Sequence, residues 1–354
     1  MKKNFLITTG GSGGHVVPAI IFHEHLSKEA NLIISTDKRG LKYLDENIYK
    51  LEIVNTPRLK NVFFYPFNIT ILLLLTFKSI FLLKKNKIEK VFSTGGYMSI
   101  PIIFAARILK LKIYLIEPNQ ILGRANRYFL KSCEKIFCYT RQIKNFPNNL
   151  IDKIIKIDPL VKKETYELKS LEKKDGKLTI LIVGGSQGAN FFDKNLKNSI
   201  INISKKIKIK IIQQTRENNI SYLSDLYEKN NIENKIFSFE KNLSRHIQEA
   251  DLCITRAGAS TLAELSVINT PFIAVPLPSS KDSHQLENAN FYKDNDCCWI
   301  IEQHLFEDKI ESFLVDIFNN KSDYFNKKEN LKKLNYQNTW INVNQKILKV
   351  INEN

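Results

Sequence analysis

A histidine stands directly behind a run of glycines in Gly10-Gly11-Ser12-Gly13-Gly14-His15, between a β-branched segment and an amphipathic one. Glycines admit positive φ and close approach of a ligand, and the N–H groups of a helix start attract anions. A histidine at such a lip titrates near neutrality. A second loop of the same kind, Gly184-Gly185-Ser186-Gln187-Gly188-Ala189, again separates a strand-like from a helix-like segment. Neither loop is GxGxxG or GxxxxGK[ST], and no acid occupies a clear strand end about twenty residues beyond the first. Dinucleotide chemistry and P-loop ATP hydrolysis are therefore disfavoured. In Thr255-Arg256-Ala257-Gly258-Ala259-Ser260-Thr261-Leu262-Ala263-Glu264-Leu265 small residues open a turn, and Glu264 follows about one turn into the next helix. Its carboxylate suits the two hydroxyls of a diol, or else is a helix-start acid favoured by roughly 0.3–1 kcal/mol. Beyond Pro276 and Pro278, either Asp282 or Ser283 can cap a helix presenting His284, Gln285 and Asn288. Neutral polar groups of this kind suit sugar hydroxyls, or are simply solvated. The string Asp294-Asn295-Asp296 reads as a polar helix end, and the five cysteines form no CxxC pair, so no metal site is expected.

These loops need a scaffold, and the pattern around them supplies one. Strands are expected over 4–8, 32–35, 90–93, 113–116 and 135–138, with helices over 17–28, 69–84, 99–109 and 123–131. After the polar stretch 162–176 the alternation restarts. Strands are expected over 178–183, 208–213, 235–239, 252–255 and 271–275, with a helix over 191–205. Such alternation means βαβ units and parallel sheets. The expected fold is α/β: two Rossmann-like domains, 1–161 and 162–335, facing a cleft, with a helical tail over 336–354 packing back across the junction.

The chain has 354 residues, 43% hydrophobic, which excludes a disordered polymer. Its net charge of +17 is uneven: residues 1–160 hold 25 basic and 11 acidic side chains, and the remainder 28 and 25. A basic first half implies an anionic partner, nucleic acid or membrane. No zinc finger or RNP-like aromatic run supports nucleic acid. The opening apolar run is too short for a signal sequence and is expected to be a strand. Residues 62–83 are long enough to span a bilayer but are interrupted by Pro66, Asn68 and Lys78. They are expected to make a peripheral membrane contact, with Ile71 to Leu75 and Phe81 to Leu83 as wedges. Lys78, Lys84, Lys85, Lys87 and Lys90 would form its basic rim. The alternative is a helix packed on its own sheet.

GGSGGHVVPA, STGGYMSIP, EPNQILGRANR, GGSQGAN, TRAGASTLAEL and PLPSSKDSHQLENA occur in one order from Gly10 to about Asn290. Together they resemble the signature segments of the family-28 glycosyltransferases of peptidoglycan synthesis. The resemblance implies a GT-B fold and an inverting transfer of N-acetylglucosamine from UDP-N-acetylglucosamine to the muramyl sugar of lipid I, making lipid II. It implies no cofactor and no nucleic acid. It implies work at the cytoplasmic face of the inner membrane and a place in a cell-wall synthesis complex serving cell shape and division. By position, Ser186 resembles a phosphate contact, Glu264 the ribose carboxylate and Gln285 a sugar contact. The resemblance also implies that the segment Ala259, Ser260, Thr261, Leu262, Ala263 lies against the donor. Ser12, Gly13, Gly14 and Asn119 resemble the segments that close over the donor sugar, while His15, Tyr97 and Glu117 would line the acceptor side. His15 is the candidate base and Glu117 its rival. Departures occur at Pro118, where Gln is usual, at Ile100-Pro101, where Gly-Pro is common, and at Val161, where an Arg is expected and Lys162 follows. The alternatives are a GT-B transferase with a different lipid acceptor and a non-catalytic nucleotide-sugar-binding scaffold.

Overall fold

β-Branched runs bounded by turn residues become strands, and the amphipathic segments between them become the crossover helices. The computed structural model describes residues 2–57, 65–168, 176–240 and 242–353, without the side chains of 65–66 and 186–188. Pro66 and Ser186, as side chains, thus lie outside the description, as do residues 62–64 of the expected apolar stretch.

Seven strands, β1 (Lys3–Thr8), β2 (Ala30–Thr36), β3 (Leu51–Ile53), β4 (Lys90–Ser93), β5 (Lys112–Glu117), β6 (Lys135–Cys138) and β7 (Ile154–Lys156), form one parallel sheet ordered β3-β2-β1-β4-β5-β6-β7. Helices α1 (Gly13–Leu26), α2 (Tyr65–Lys85), α3 (Ile100–Ile108) and α4 (Arg124–Phe129) connect it. A single turn, α5 (Lys163–Tyr166), stands within the expected linker. A second parallel sheet of six, β8 (Leu178–Val183), β9 (Ile209–Gln214), β10 (Glu233–Phe237), β11 (Leu252–Thr255), β12 (Phe272–Ala274) and β13 (Trp299–Ile300), is ordered β10-β9-β8-β11-β12-β13. Its helices are α6 (Gly185–Asn195), α7 (Lys197–Ser204), α8 (Ile220–Lys229), α9 (Leu243–Glu249), α10 (Ala259–Ile268), α11 (His284–Asp294), α12 (Phe306–Asn319) and α13 (Lys321–Leu334). The last helix is α14 (Trp340–Glu353).

Both sheets are doubly wound, and each reverses direction at its first strand, between β1 and β4 and between β8 and β11. Ligands of such sheets sit outside the carboxyl ends of the strands at that reversal. Helix α6 begins six residues before the expected start at 191, because the glycine loop itself is already its first turn, and the helical run breaks at Leu196. Strands β3, β7 and β13 escaped the sequence reading because two or three residues carry no period.

The chain divides into residues 1–163 with 339–354, and residues 164–338. The C-terminal helix therefore belongs to the first unit. Val343, Ile347 and Ile351 of α14 join Phe5, Phe22, Phe92 and Phe137 in one buried core. Lys90, expected on a basic rim, is instead buried, and its Nζ donates to the Ile351 carbonyl at the end of α14. A cation on the last carbonyls of a helix satisfies groups that lack intrahelical donors. His25 lies flat on Trp340, ring centroids 3.7 Å apart, and its Nδ1–H donates to Asn344 Oδ1 at 3.1 Å. Burial pushes the imidazole pKa down to about 4. Above the ordinary histidine value both folded and unfolded chains hold this ring neutral. As pH falls below it, only the unfolded chain takes the proton, so stability is lost down to about pH 4. His25→Gln is expected to flatten the fall of Tm across that window. A variant whose Tm falls as steeply as the wild type would assign the loss to other groups.

Candidate functional site

In the first unit the crevice at the reversal is built from the loops after β1 and β4. Thr8 pairs with Ser93 across the two strands, and Thr94 Oγ1 donates to Thr9 Oγ1 at 2.8 Å just beyond them. His15, on the first turn of α1, is half-buried and shares a 2.8 Å hydrogen bond between Nδ1 and the Thr94 carbonyl. A carbonyl only accepts, so Nδ1 carries the proton and Nε2 of the neutral ring carries the lone pair. The bond fixes both tautomer and direction, as an orienting group does for a catalytic imidazole.

Gly11 has φ +82°, and a Cβ there would lie 2.7 Å from Met98 Cε. Gly96 has φ +83°, and its Cβ would meet Met98 Sδ at 2.5 Å, on the side where His15 Cδ2 lies at 3.6 Å. Both positive φ values are ones that glycine adopts without strain, and both loops close on the Met98 side chain. A strand-end acid does exist after all: Asp37 follows β2. It was missed because β2 runs longer than the apolar core of its sequence. Asp37 is buried; its Oδ1 accepts from Gly11 N at 2.8 Å and Gly40 N at 3.0 Å, and its Oδ2 from Arg39 Nε at 2.8 Å. With both oxygens engaged, it organises the loop. Ser12 is the residue before α1, and its side chain makes no capping bond; Gly13 and Gly14 start the helix.

Glu117 ends β5, is 3% exposed, and receives four donors. Oε1 accepts from Asn119 N at 3.3 Å and Asn119 Nδ2 at 2.9 Å. Oε2 accepts from Gly123 N at 2.8 Å and Asn126 Nδ2 at 2.9 Å. These bonds tie the Pro118-to-Gly123 loop to the start of α4, an arrangement that positions Asn119. Tyr97 shares a hydrogen bond with Arg39 Nη2, whose guanidinium also lies over its ring at 5.2 Å. Val161 is fully buried in the first unit, so its side chain is a core group.

In the second unit two helix starts, α6 after β8 and α10 after β11, lie at the ends of paired neighbouring strands. The first N–H groups of each have no intrahelical acceptor, and a helix start of this kind suits an anion. Gly185 N donates to Gln214 Oε1 at 2.8 Å. On α10, Leu262 and Ala263 are fully buried, while Ala259, Ser260, Thr261 and Glu264 are half-exposed. Ser260 Oγ is a buried atom without a partner among the described residues.

Arg256, quoted within its motif but given no role, proves central to the loop geometry. It is buried, donates to the Val275 carbonyl at 3.1 Å and Gln303 Oε1 at 2.7 Å, and stacks on Phe191 at 4.4 Å. Burial brings its pKa down to about 10, which leaves it charged. Gln285 Oε1 accepts from Leu277 N at 2.9 Å, and Asn288 Nδ2 donates to the Ala257 carbonyl at 3.2 Å. These clasp the proline loop and the α10 start to α11. Asp282 and Ser283 are both left-handed, at φ +53° and +56°, and Ser283, the residue directly before α11, makes no side-chain cap. His284 Nδ1 folds back on the Lys281 carbonyl at 2.8 Å. Asp296 pairs with Lys327, a structural contact.

A Rossmann-like pair of sheets with glycine loops at both reversals is the fold of the GT-B glycosyltransferases. The family models for the glycosyltransferase family 28 N-terminal and C-terminal domains match residues 5–138 and 179–339. A Pelagibacter ubique protein named as a UDP-N-acetylglucosamine–N-acetylmuramyl-(pentapeptide) pyrophosphoryl-undecaprenol N-acetylglucosamine transferase is 46% identical, with all of both chains covered. A Rickettsia canadensis protein of the same name is 35% identical over 90% of this chain and 91% of its own. The crystal structure of Acinetobacter baumannii MurG superposes with a TM-score of 0.77 at 23% identity, covering both chains fully. The chain belongs to glycosyltransferase family 28.

Proposed function

We propose that this enzyme moves N-acetylglucosamine from UDP-N-acetylglucosamine to the muramyl sugar of a pyrophosphoryl-undecaprenol-linked pentapeptide. The full-length 46% identity to a relative of that name carries the reading. His15 is the base: Nε2 takes the proton of the acceptor hydroxyl as its oxygen attacks the anomeric carbon. The C–O bond to UDP breaks on the opposite face. The helix starts of α6 and α10 receive the charge that develops on UDP. Glu264 holds the ribose diol. Glu117, enclosed by its four donors, positions Asn119 and takes no proton. Incubation with labelled UDP-N-acetylglucosamine and the lipid-linked acceptor should carry label into a lipid-extractable product. Label that enters only another lipid acceptor, such as diacylglycerol, would assign a different transferase.

The same reading includes peripheral attachment to an anionic membrane, at the cytoplasmic face, through α2. Phe67–Lys85 is long and apolar enough to cross a bilayer. Its inner side, however, is engaged: Ser79 and Leu83 are buried, and Leu75, Ile80 and Leu82 pack on the core. The outer side exposes Phe67, Leu73, Leu74, Phe77 and Phe81. Lys78, Lys84, Lys85 and Lys87 lie exposed along and just beyond it. Each cation near an anionic surface contributes about 1 kcal/mol. Co-sedimentation with anionic liposomes should weaken with salt. It should be largely lost when Leu73, Leu74, Phe77 and Phe81 become Ser, with UDP binding retained. Binding indifferent to lipid charge would remove the lysines from the interaction.

A further inference from the structure

Between the glycine loop and α2 lies a cavity of about 300 Å³, lined by Asp37, Lys38, Arg39, Thr56, Ile71 and Tyr97 among others. We propose that it binds the diphosphate of the lipid-linked acceptor, with Arg39 and Lys38 as its cationic ligands. The inference rests on the transfer reaction proposed above. Arg39 is held along one edge: Nε and Nη2 donate to Asp37 Oδ2, and Nη2 also donates to Tyr97 Oη. Asp37 is itself pinned through Oδ1 by two backbone N–H groups. The guanidinium therefore has little freedom left to lose. The remaining nitrogen, Nη1, meets no acceptor among the described residues, and the side chain is 35% exposed. An Nη1 amino group whose guanidinium is fixed from behind can donate a charge-assisted hydrogen bond to a phosphate oxygen at little cost in side-chain freedom. Lys38 is exposed beside it, with its backbone N–H held by Asn55 Oδ1 at 3.0 Å. The two cations exceed the single carboxylate, so the cavity favours an anion.

Its place in the fold selects which anion. Asp37 bonds Gly11, four residues before His15, and Ile71 belongs to the helix whose outer face is apolar. From base to cavity to apolar helix is the covalent order of such an acceptor: sugar, diphosphate, lipid. The cavity thus works as a spacer that sets the sugar hydroxyl at His15 when the lipid is held at α2.

The test uses binding, so that it does not depend on turnover. A ten-carbon prenyl diphosphate, the matching prenyl monophosphate and UDP are titrated by calorimetry into the full chain and into Arg39→Gln and Lys38→Gln. The wild type should prefer the diphosphate to the monophosphate. Arg39→Gln should weaken diphosphate binding about 10- to 100-fold, as loss of a charge-assisted contact to a phosphate does. Lys38→Gln, at an exposed site without risk to folding, should weaken it severalfold and reduce its salt dependence. UDP affinity should not change in either variant. Equal diphosphate affinity in all three proteins, or no binding by the wild type, overturns the proposal. So does a parallel loss of UDP binding, which would place the effect on the donor side. Failure of the wild type to transfer sugar would sink the reaction while leaving this binding result standing.

Discussion

His15→Ala is expected to lower kcat about 100- to 10,000-fold, the range that a positioned general base contributes. The KM for UDP-N-acetylglucosamine should stay near the wild-type value, because His15 stands in the first unit, on the first turn of α1. The Thr94 carbonyl already holds Nδ1–H at 2.8 Å, so the imidazole is oriented before any substrate binds. A base must be neutral to act, so the acidic limb of the wild-type pH–rate profile should disappear with the imidazole. Turnover within a factor of about three of wild type would move the base elsewhere. Glu117→Gln offers the contrast. Its side chain keeps an acceptor oxygen but sets an NH2 against donors at Gly123 or Asn119, so the expected loss is loop order, read as a lower Tm together with lower activity.

Glu264→Ala should produce the largest change in donor binding. Glu264 is the sixth residue of α10, past the buried Leu262 and Ala263, at the helix that begins beside the sheet reversal. If its carboxylate holds the ribose diol, two charge-assisted hydrogen bonds are lost, each worth about 1.5–3 kcal/mol. Donor KM should rise at least about tenfold per bond, since 1.4 kcal/mol is a factor of ten. Calorimetry with 2′-deoxy-UDP separates this from a helix-start role. The wild type should bind UDP more tightly than the deoxy analogue, and the variant should not distinguish them. Unchanged UDP affinity would leave Glu264 as an acid favoured only by the helix dipole.

Much of the architecture was legible because it follows from local pattern. The runs at 90–93, 135–138, 178–183 and 252–255 match β4, β6, β8 and β11 residue for residue. Buried parallel strands are short apolar blocks bounded by turn chemistry, and the glycine loops mark the strand ends that meet ligands. The family motifs carried the reaction, because residue types at fixed spacing around a sheet reversal are what the chemistry requires.

What the sequence did not reveal depends on contacts between distant segments. Asp37 becomes a loop organiser only when Gly11, Gly40 and Arg39 converge on it. Lys90 reads as one more basic side chain until α14, 261 residues later, brings the Ile351 carbonyl to it. Arg256 is a polar residue in a motif until the ends of β12, α6 and the Gln303 turn surround it. The same applies within one helix. Composition marks α2 as apolar, but only packing against the core decides that Leu75 and Leu83 turn inward while Leu74, Phe77 and Phe81 face outward. Periodicity carries the local choice of helix or strand. The tertiary structure alone decides which polar groups are satisfied by each other and which are left to meet a ligand, because burial and hydrogen bonding are properties of converging segments.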